Sequence, residues 1–334
     1  MSNIIKIAVV LALLPCVTLS GCRQRAAATR PVEAPAAAPT VSEAQQAVNR
    51  GNILASQGLD KIALAEFERA IAINPRLTTA YVGMGEIHKK SGDYAQAERA
   101  YGKAAEVEPQ NFGVQYNHGL MLQLLDRVAE AVRAYIRALQ IKPNDFDANL
   151  NLATAYLQLN EPGAALPYAQ RAVSLNPNHG PARVNLGAVY TALTDHESAV
   201  VEYQQAAELM ELTPQLLLNL ADALGKAGRY AEMQNTLEEL IRLNPSPVAY
   251  ERLATAHFRQ RRYDEALANF RRALELDANY YPALNGVGVS MLNRYLLSNK
   301  QDIEALREGI SALRRSLQIE RRQPAVVDLL ARYS

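Results

Sequence analysis

The stretch "FDANLNLATAYLQLNEPGAALPYAQRAVSLNPN", residues 146–178, decides the fold. Apolar residues recur at i, i+3, i+4 and i+7 on either side of a polar break. That period belongs to an amphipathic α-helix, so the stretch predicts two helices joined by a turn. The closing "NP" ends the second helix. The residue before proline avoids the α region, and proline cannot continue the hydrogen-bond ladder.

The pattern returns every 34 residues. Small residues recur at Gly51, Gly85, Gly119, Ala153, Gly187 and Ala221. Alanine recurs at Ala63, Ala97, Ala131, Ala165 and Ala199, and again at Ala70, Ala104, Ala138, Ala172 and Ala206. Large residues stand at Phe67, Tyr101, Tyr135, Tyr203 and Leu237, with Ala169 breaking the run. Proline closes the unit at Pro75, Pro109, Pro143, Pro177 and Pro245. Several coincident series at one period mean tandem structural repeats, each a helix pair that buries its apolar face against its neighbours. Composition agrees: Ala and Leu are abundant, Trp is absent and Phe occurs only 5 times, a balance that favours helix over strand.

These residues resemble the tetratricopeptide repeat. The resemblance implies an all-α solenoid, a right-handed superhelix of stacked helix pairs whose first helices line a concave groove. Eight units are expected, at 44–77, 78–111, 112–145, 146–179, 180–213, 214–246, 247–280 and 281–322. The eighth is irregular, with "LSNKQDIEALRE" inserted between its two helices. A further helix from about Pro324, within residues 323–334, is expected to cap the stack and cover an apolar face that would otherwise meet water.

Both cysteines, Cys16 and Cys22, lie near the start of the chain. "MSNIIKIAVVLALLPCVTLSGC" has Lys6 in a positive n-region, an apolar h-region over residues 7–14, and small residues Ser20 and Gly21. It reads as an export signal over residues 1–21, and it is short of the roughly 20 apolar residues of a spanning helix. "LSGC", Leu19 to Cys22, is similar to the lipobox of bacterial lipoproteins. That resemblance implies that Cys22 becomes the lipidated first residue of the mature chain, that Cys16 is discarded, and that the protein is a membrane lipoprotein. Arg23 stands where an aspartate would favour the inner membrane, so an outer-membrane location facing the periplasm is expected. Residues 22–43 are Ala/Pro-rich and read as an extended linker, able to reach on the order of 60 Å at about 3.1 Å per residue.

Charge is balanced, 35 Lys+Arg against 34 Asp+Glu, which argues against a nucleic-acid partner. Two cysteines cannot make a disulfide framework or a four-ligand zinc site, and the five histidines have no helical metal-pair spacing. Neither cofactor, metal nor small-molecule substrate is expected. "DHE" at 195–197 falls in a turn, and "GVGVS" at 286–290 falls within a helix, so neither makes a catalytic or nucleotide-binding motif. Basic runs at 259–263 and 314–322 are interleaved with acids and read as solvated helix faces. The chain is therefore expected to be non-enzymatic, with other proteins as partners.

One groove feature is chemically specific. Asn49, Asn117, Asn151, Asn185 and Asn219 share one phase, just ahead of the small residue; Gly83 breaks the series and Arg252 follows it. An amide offers both donor and acceptor, so a ladder could pair with the backbone of an extended peptide; asparagine here could equally serve local hydrogen bonds. A similar ladder lines the repeats of the protein O-linked N-acetylglucosamine transferases. Lys89 and Lys90 form a lone basic pair, unlike the clustered cations of a carboxylate clamp. The leading expectation is a lipid-anchored envelope scaffold that binds proteins or extended peptides. Its alternatives are a recruiting adaptor of a glycosyltransferase-type or pilus/secretin assembly machine, and a soluble cytoplasmic adaptor.

Overall fold

The computed structural model describes residues 40–333. Cys22, Cys16, the export signal and most of the linker lie outside them. Among the described residues all regular structure is α-helical, seventeen helices in chain order. The first eight are α1 (Val41–Ser56), α2 (Asp60–Ile73), α3 (Thr78–Ser91), α4 (Tyr94–Val107), α5 (Phe112–Leu124), α6 (Val128–Ile141), α7 (Phe146–Gln158) and α8 (Pro162–Leu175). Next come α9 (Gly180–Ala192), α10 (His196–Leu209), α11 (Pro214–Lys226), α12 (Tyr230–Leu243), α13 (Pro247–Arg259) and α14 (Tyr263–Leu276). The chain closes with α15 (Tyr281–Leu297), α16 (Ile303–Ile319) and α17 (Pro324–Tyr333). None is long and apolar enough to cross a membrane.

Each odd helix packs on the even helix after it, and each pair packs on the next. Odd helices also touch one another, as α1 does α3, α7 does α9 and α13 does α15, which puts them on the inner side of the stack. The pairing is the expected one, and the series explain it. A Cβ on Gly187 would stand 2.7 Å from the Tyr203 ring, so only glycine lets the ring of the second helix lie against the backbone of the first. The rings Phe67, Tyr101, Tyr135 and Tyr203 are almost wholly buried. Their phenols are satisfied by the partner helix: Tyr101 Oη donates to Glu86 Oε1 (2.5 Å) and Tyr135 Oη to Gln123 Oε1 (2.9 Å). Burial pushes all three tyrosine pKa values up, and at Tyr101 the Glu86 hydrogen bond adds to it. Where Ala169 replaces the ring, the volume is supplied next door by Tyr168, stacked on Tyr156 at 5.9 Å.

Several helix starts are capped by polar side chains, while others, such as those of α2, α3 and α6, have no side-chain cap. Thr40 Oγ1 accepts from the Glu43 N–H while Glu43 Oε2 accepts from the Thr40 N–H, so α1 begins at Val41, ahead of the expected 44. Asp195 of "DHE" caps α10, accepting from the Ser198 N–H at 3.2 Å.

The eighth pair departs from the expectation of an inserted loop. The extra residues extend both helices: α15 and α16 have 17 residues each, where the other first helices have 13 to 16 and the other second helices 14, and the turn spans only residues 298–302. The cause is the continued apolar period on both sides of the turn, with Asp302 capping α16 by accepting from the Ala305 N–H at 2.9 Å. The α17 helix begins at Pro324, as its sequence implies, and Val326 joins Leu292 and Leu313 in a terminal core.

Candidate functional site

The inner surface is built from the odd helices, and the asparagine positions fall on it in consecutive repeats. Their roles differ. Asn49 on α1 is exposed and accepts from Gln45 Nε2 at 3.2 Å; Asn219 on α11 accepts from Gln215 Nε2 at 2.8 Å. Both bonds stay within one helix. The central three reach further. Asn117 Nδ2 donates to the Gly113 carbonyl (3.0 Å) while its Oδ1 accepts from Lys89 Nζ of α3 (3.5 Å). Asn151 Nδ2 donates to Tyr116 Oη of α5 (3.0 Å). Asn185 Nδ2 donates to Thr154 Oγ1 of α7 (2.9 Å), leaving its Oδ1 buried without a partner. The middle of the series thus ties neighbouring odd helices together, and the amide oxygen of Asn185 has capacity to spare.

The breaks in the series have a steric origin. At Gly83 a Cβ would overlap the Phe67 ring of the preceding second helix, and at Gly286 a Cβ would overlap Phe270 in the same way. An asparagine has no room at either place. At Arg252, the seventh position, the guanidinium pairs with Asp222 of α11. Burial lowers the Arg252 pKa.

Both glycine breaks open hollows in the groove. The first, about 730 Å³, lies over α1, α3 and α5. Phe67, Val82 and Tyr101 lie beneath it, and Glu86, Lys89 and Asn117 are on its wall. Lys89 is held there by Glu86 at 2.8 Å and Lys90 stands 3.9 Å from Asp60, so neither is an isolated cation for a carboxylate. The second hollow, about 470 Å³, lies between α13 and α15 over Phe270. Its sequence signal is the pair of glycines standing where asparagine is the rule, which the period alone makes visible.

The histidines take separate structural roles. His179 Nδ1 accepts from the Ala182 N–H as the cap of α9 (3.1 Å), and His118 Nε2 lies 3.2 Å from Glu98 Oε1. His257 is buried, and that burial lowers its pKa. Among the described residues no cluster of three metal-ligating side chains occurs.

Comparison with known proteins agrees with this architecture. One tetratricopeptide-repeat profile matches residues 61–182, and a second matches residues 150–215 and 218–281. Curated relatives match only locally. Superkiller protein 3 of Schizosaccharomyces pombe is 35% identical over 54 residues, and human tetratricopeptide repeat protein 13 is 32% identical over 97 residues. The matches cover 16% and 29% of this chain but only 4% and 11% of those proteins, so the chain spans a small part of their length. Among solved structures, a tetratricopeptide repeat protein from Parabacteroides merdae superposes with a TM-score of 0.51 at 20% identity, over 76% of this chain and 97% of that one. The pilF protein of Pseudomonas aeruginosa gives 0.50 at 20% identity, over 63% and 95%. At such identity these structures share the fold alone. With the profiles together spanning most of residues 61–281 and the helix pairs stacked throughout, the chain belongs to the tetratricopeptide-repeat family.

Proposed function

We propose that the protein is a non-enzymatic scaffold, anchored by lipid on Cys22 in the bacterial cell envelope, that binds partner proteins through extended segments laid in its concave groove. Tetratricopeptide-repeat proteins generally mediate protein–protein interactions. The observation that carries the groove reading is the run Asn117, Asn151 and Asn185 on the inner faces of α5, α7 and α9, with the Asn185 oxygen unsatisfied. A buried amide oxygen without a donor is costly, and a backbone N–H of an extended partner would relieve it. The anchor rests on "LSGC" and the apolar stretch before it. Two or more acyl chains hold a protein stably, at about 0.8 kcal/mol per buried CH₂.

Detergent phase partitioning of the wild type and Cys22→Ala tests the anchor. The wild type should enter the detergent phase and the variant the aqueous phase; equal aqueous partitioning of both would leave a soluble cytoplasmic adaptor as the reading. Crosslinking of the mature chain in intact envelopes, followed by mass spectrometry, identifies the partners. Crosslinks mapping to the odd helices are expected, and crosslinks confined to the even helices would overturn the groove reading.

A further inference from the structure

The hollow between α13 and α15 differs in chemistry from the rest of the groove. The position three residues ahead of the small residue is apolar in six successive repeats: Val48, Val82, Tyr116, Leu150, Val184 and Leu218. In the last two it becomes Glu251 and Asn285. Both line the hollow, on facing helices. Glu251 is half-buried, and its one hydrogen bond comes from Thr255 Oγ1 at 3.1 Å. Burial pushes its carboxyl above the usual range. Asn285 Nδ2 donates to Gln323 Oε1 at 2.6 Å, which orients the amide and leaves Oδ1 buried with no donor.

Two under-used acceptors therefore share one hollow with aromatic walls. Phe270 lies beneath it at Gly286, and Phe258 forms a side. Arg252 is engaged with Asp222. Arg259 is the exposed cation at the rim. An apolar ligand would satisfy the rings and strand both acceptors. An anion would meet the Glu251 carboxylate. The complement of two acceptors over aromatic walls is a cation on an apolar stem.

The geometry points to a socket for a basic side chain of the bound partner. An arginine stem would lie along Phe270 and Phe258, and its guanidinium would donate to Glu251 and to Asn285 Oδ1. Arginine suits the socket better than lysine, because its planar fork can serve two acceptors and also stack on a ring. The assignment rests on the groove being the partner site, and adds that an extended partner carries an arginine at the α13–α15 end.

The test uses N-acetyl-arginine-N-methylamide, with its norleucine and glutamate counterparts, titrated into the mature chain and followed by amide NMR. The arginine compound should saturably shift the amides of Glu251, Thr255 and Gly286, at least tenfold more tightly than either counterpart. Glu251→Gln should weaken it about tenfold and Asn285→Leu severalfold. Glu251→Leu restores the residue type of the earlier repeats, so it should fold and yet abolish binding. Equal binding of the norleucine compound, equal binding to Glu251→Gln, or no binding at all would overturn the socket.

Labelled Gly-Ser 12-mers with and without one arginine separate this from the ladder. If both bind alike and both are lost on replacing Asn117, Asn151 and Asn185 by alanine, the groove reading stands and the socket falls. If no 12-mer binds while the arginine compound still titrates α13 and α15, the socket stands and the ladder falls.

Discussion

Single residues set the turns, and one of them, Thr194, is held in a conformation its side chain disfavours. Each of the first seven pairs turns through one left-handed residue: Gly58, Gly92, Asp126, Asn160, Thr194, Gly228 and Arg261. Glycine and asparagine accept that conformation readily, but a β-branched residue does not. Thr194, at φ 62°, therefore strains the α9–α10 turn. Thr194→Gly is expected to raise stability by about 1 kcal/mol in urea unfolding, whereas Gly92→Val at the equivalent turn should lower it by at least as much. Glu251 gives a second residue-scale outcome, with the sign fixed by its raised pKa. In the folded state it holds its proton to higher pH than in the unfolded chain, so its contribution is intact below the unfolded value and lost as pH rises through the folded one. The Tm of Glu251→Gln should match the wild type near pH 4 and exceed it near pH 7. A constant difference across that range would mean that burial does not raise the Glu251 pKa. The left-handed series is legible in the sequence once the period is set, since four of its seven members are glycine or asparagine. Thr194 and Arg261 hide it, because neither residue type predicts the conformation that its neighbours impose.

At the scale of elements, the eighth pair and its cap decide how the stack ends. Gly288 on α15 and Gly309 on α16 bring the two backbones close, since a Cβ on Gly309 would stand 3.1 Å from the Gly288 carbonyl oxygen. Leu313 fills the space beside them and is wholly buried among Leu292 and Val326. Leu313→Ala should cost about 2–5 kcal/mol of local stability. Because each pair packs only on its neighbours, that loss should stay local. Hydrogen exchange should rise in α15, α16 and α17 and remain unchanged in α3 and α4. A uniform rise along the chain would show that the repeats unfold as one unit. The helix pairs, their boundaries within a few residues and α17 follow from a 34-residue period, because the small and large residues that make the pairs touch are themselves periodic. The lengthening of α15 and α16 does not. A period reveals what repeats, and these helices are extended by residues that occur once.

At the scale of the whole molecule, the asparagine series ties the odd helices together, and the recognition role proposed for it must be separated from that structural one. An amide used only for partners could be removed at no cost to the fold. Asn117, Asn151 and Asn185 each take part in a hydrogen bond between successive odd helices, to Lys89, Tyr116 and Thr154. Their sequence phase shows the shared groove position but not these bonds, since Tyr116 and Thr154 stand at different places in their own repeats. Each such bond contributes about 0.5–1.5 kcal/mol net. Replacing all three by alanine should therefore lower the Tm by a few degrees as well as weaken an extended peptide. A fall in binding would then be ambiguous by itself. Tyr116→Phe resolves it, because it removes the acceptor of the Asn151 bond and keeps every asparagine in place. If the ladder reads the partner's backbone, Tyr116→Phe should lose stability and retain binding, while Asn151→Ala loses both. Peptide affinity by fluorescence anisotropy beside thermal melts measures the two effects separately. If affinity tracks stability equally in both variants, the asparagines act as ties between the helices, and contact with a partner is made elsewhere in the groove.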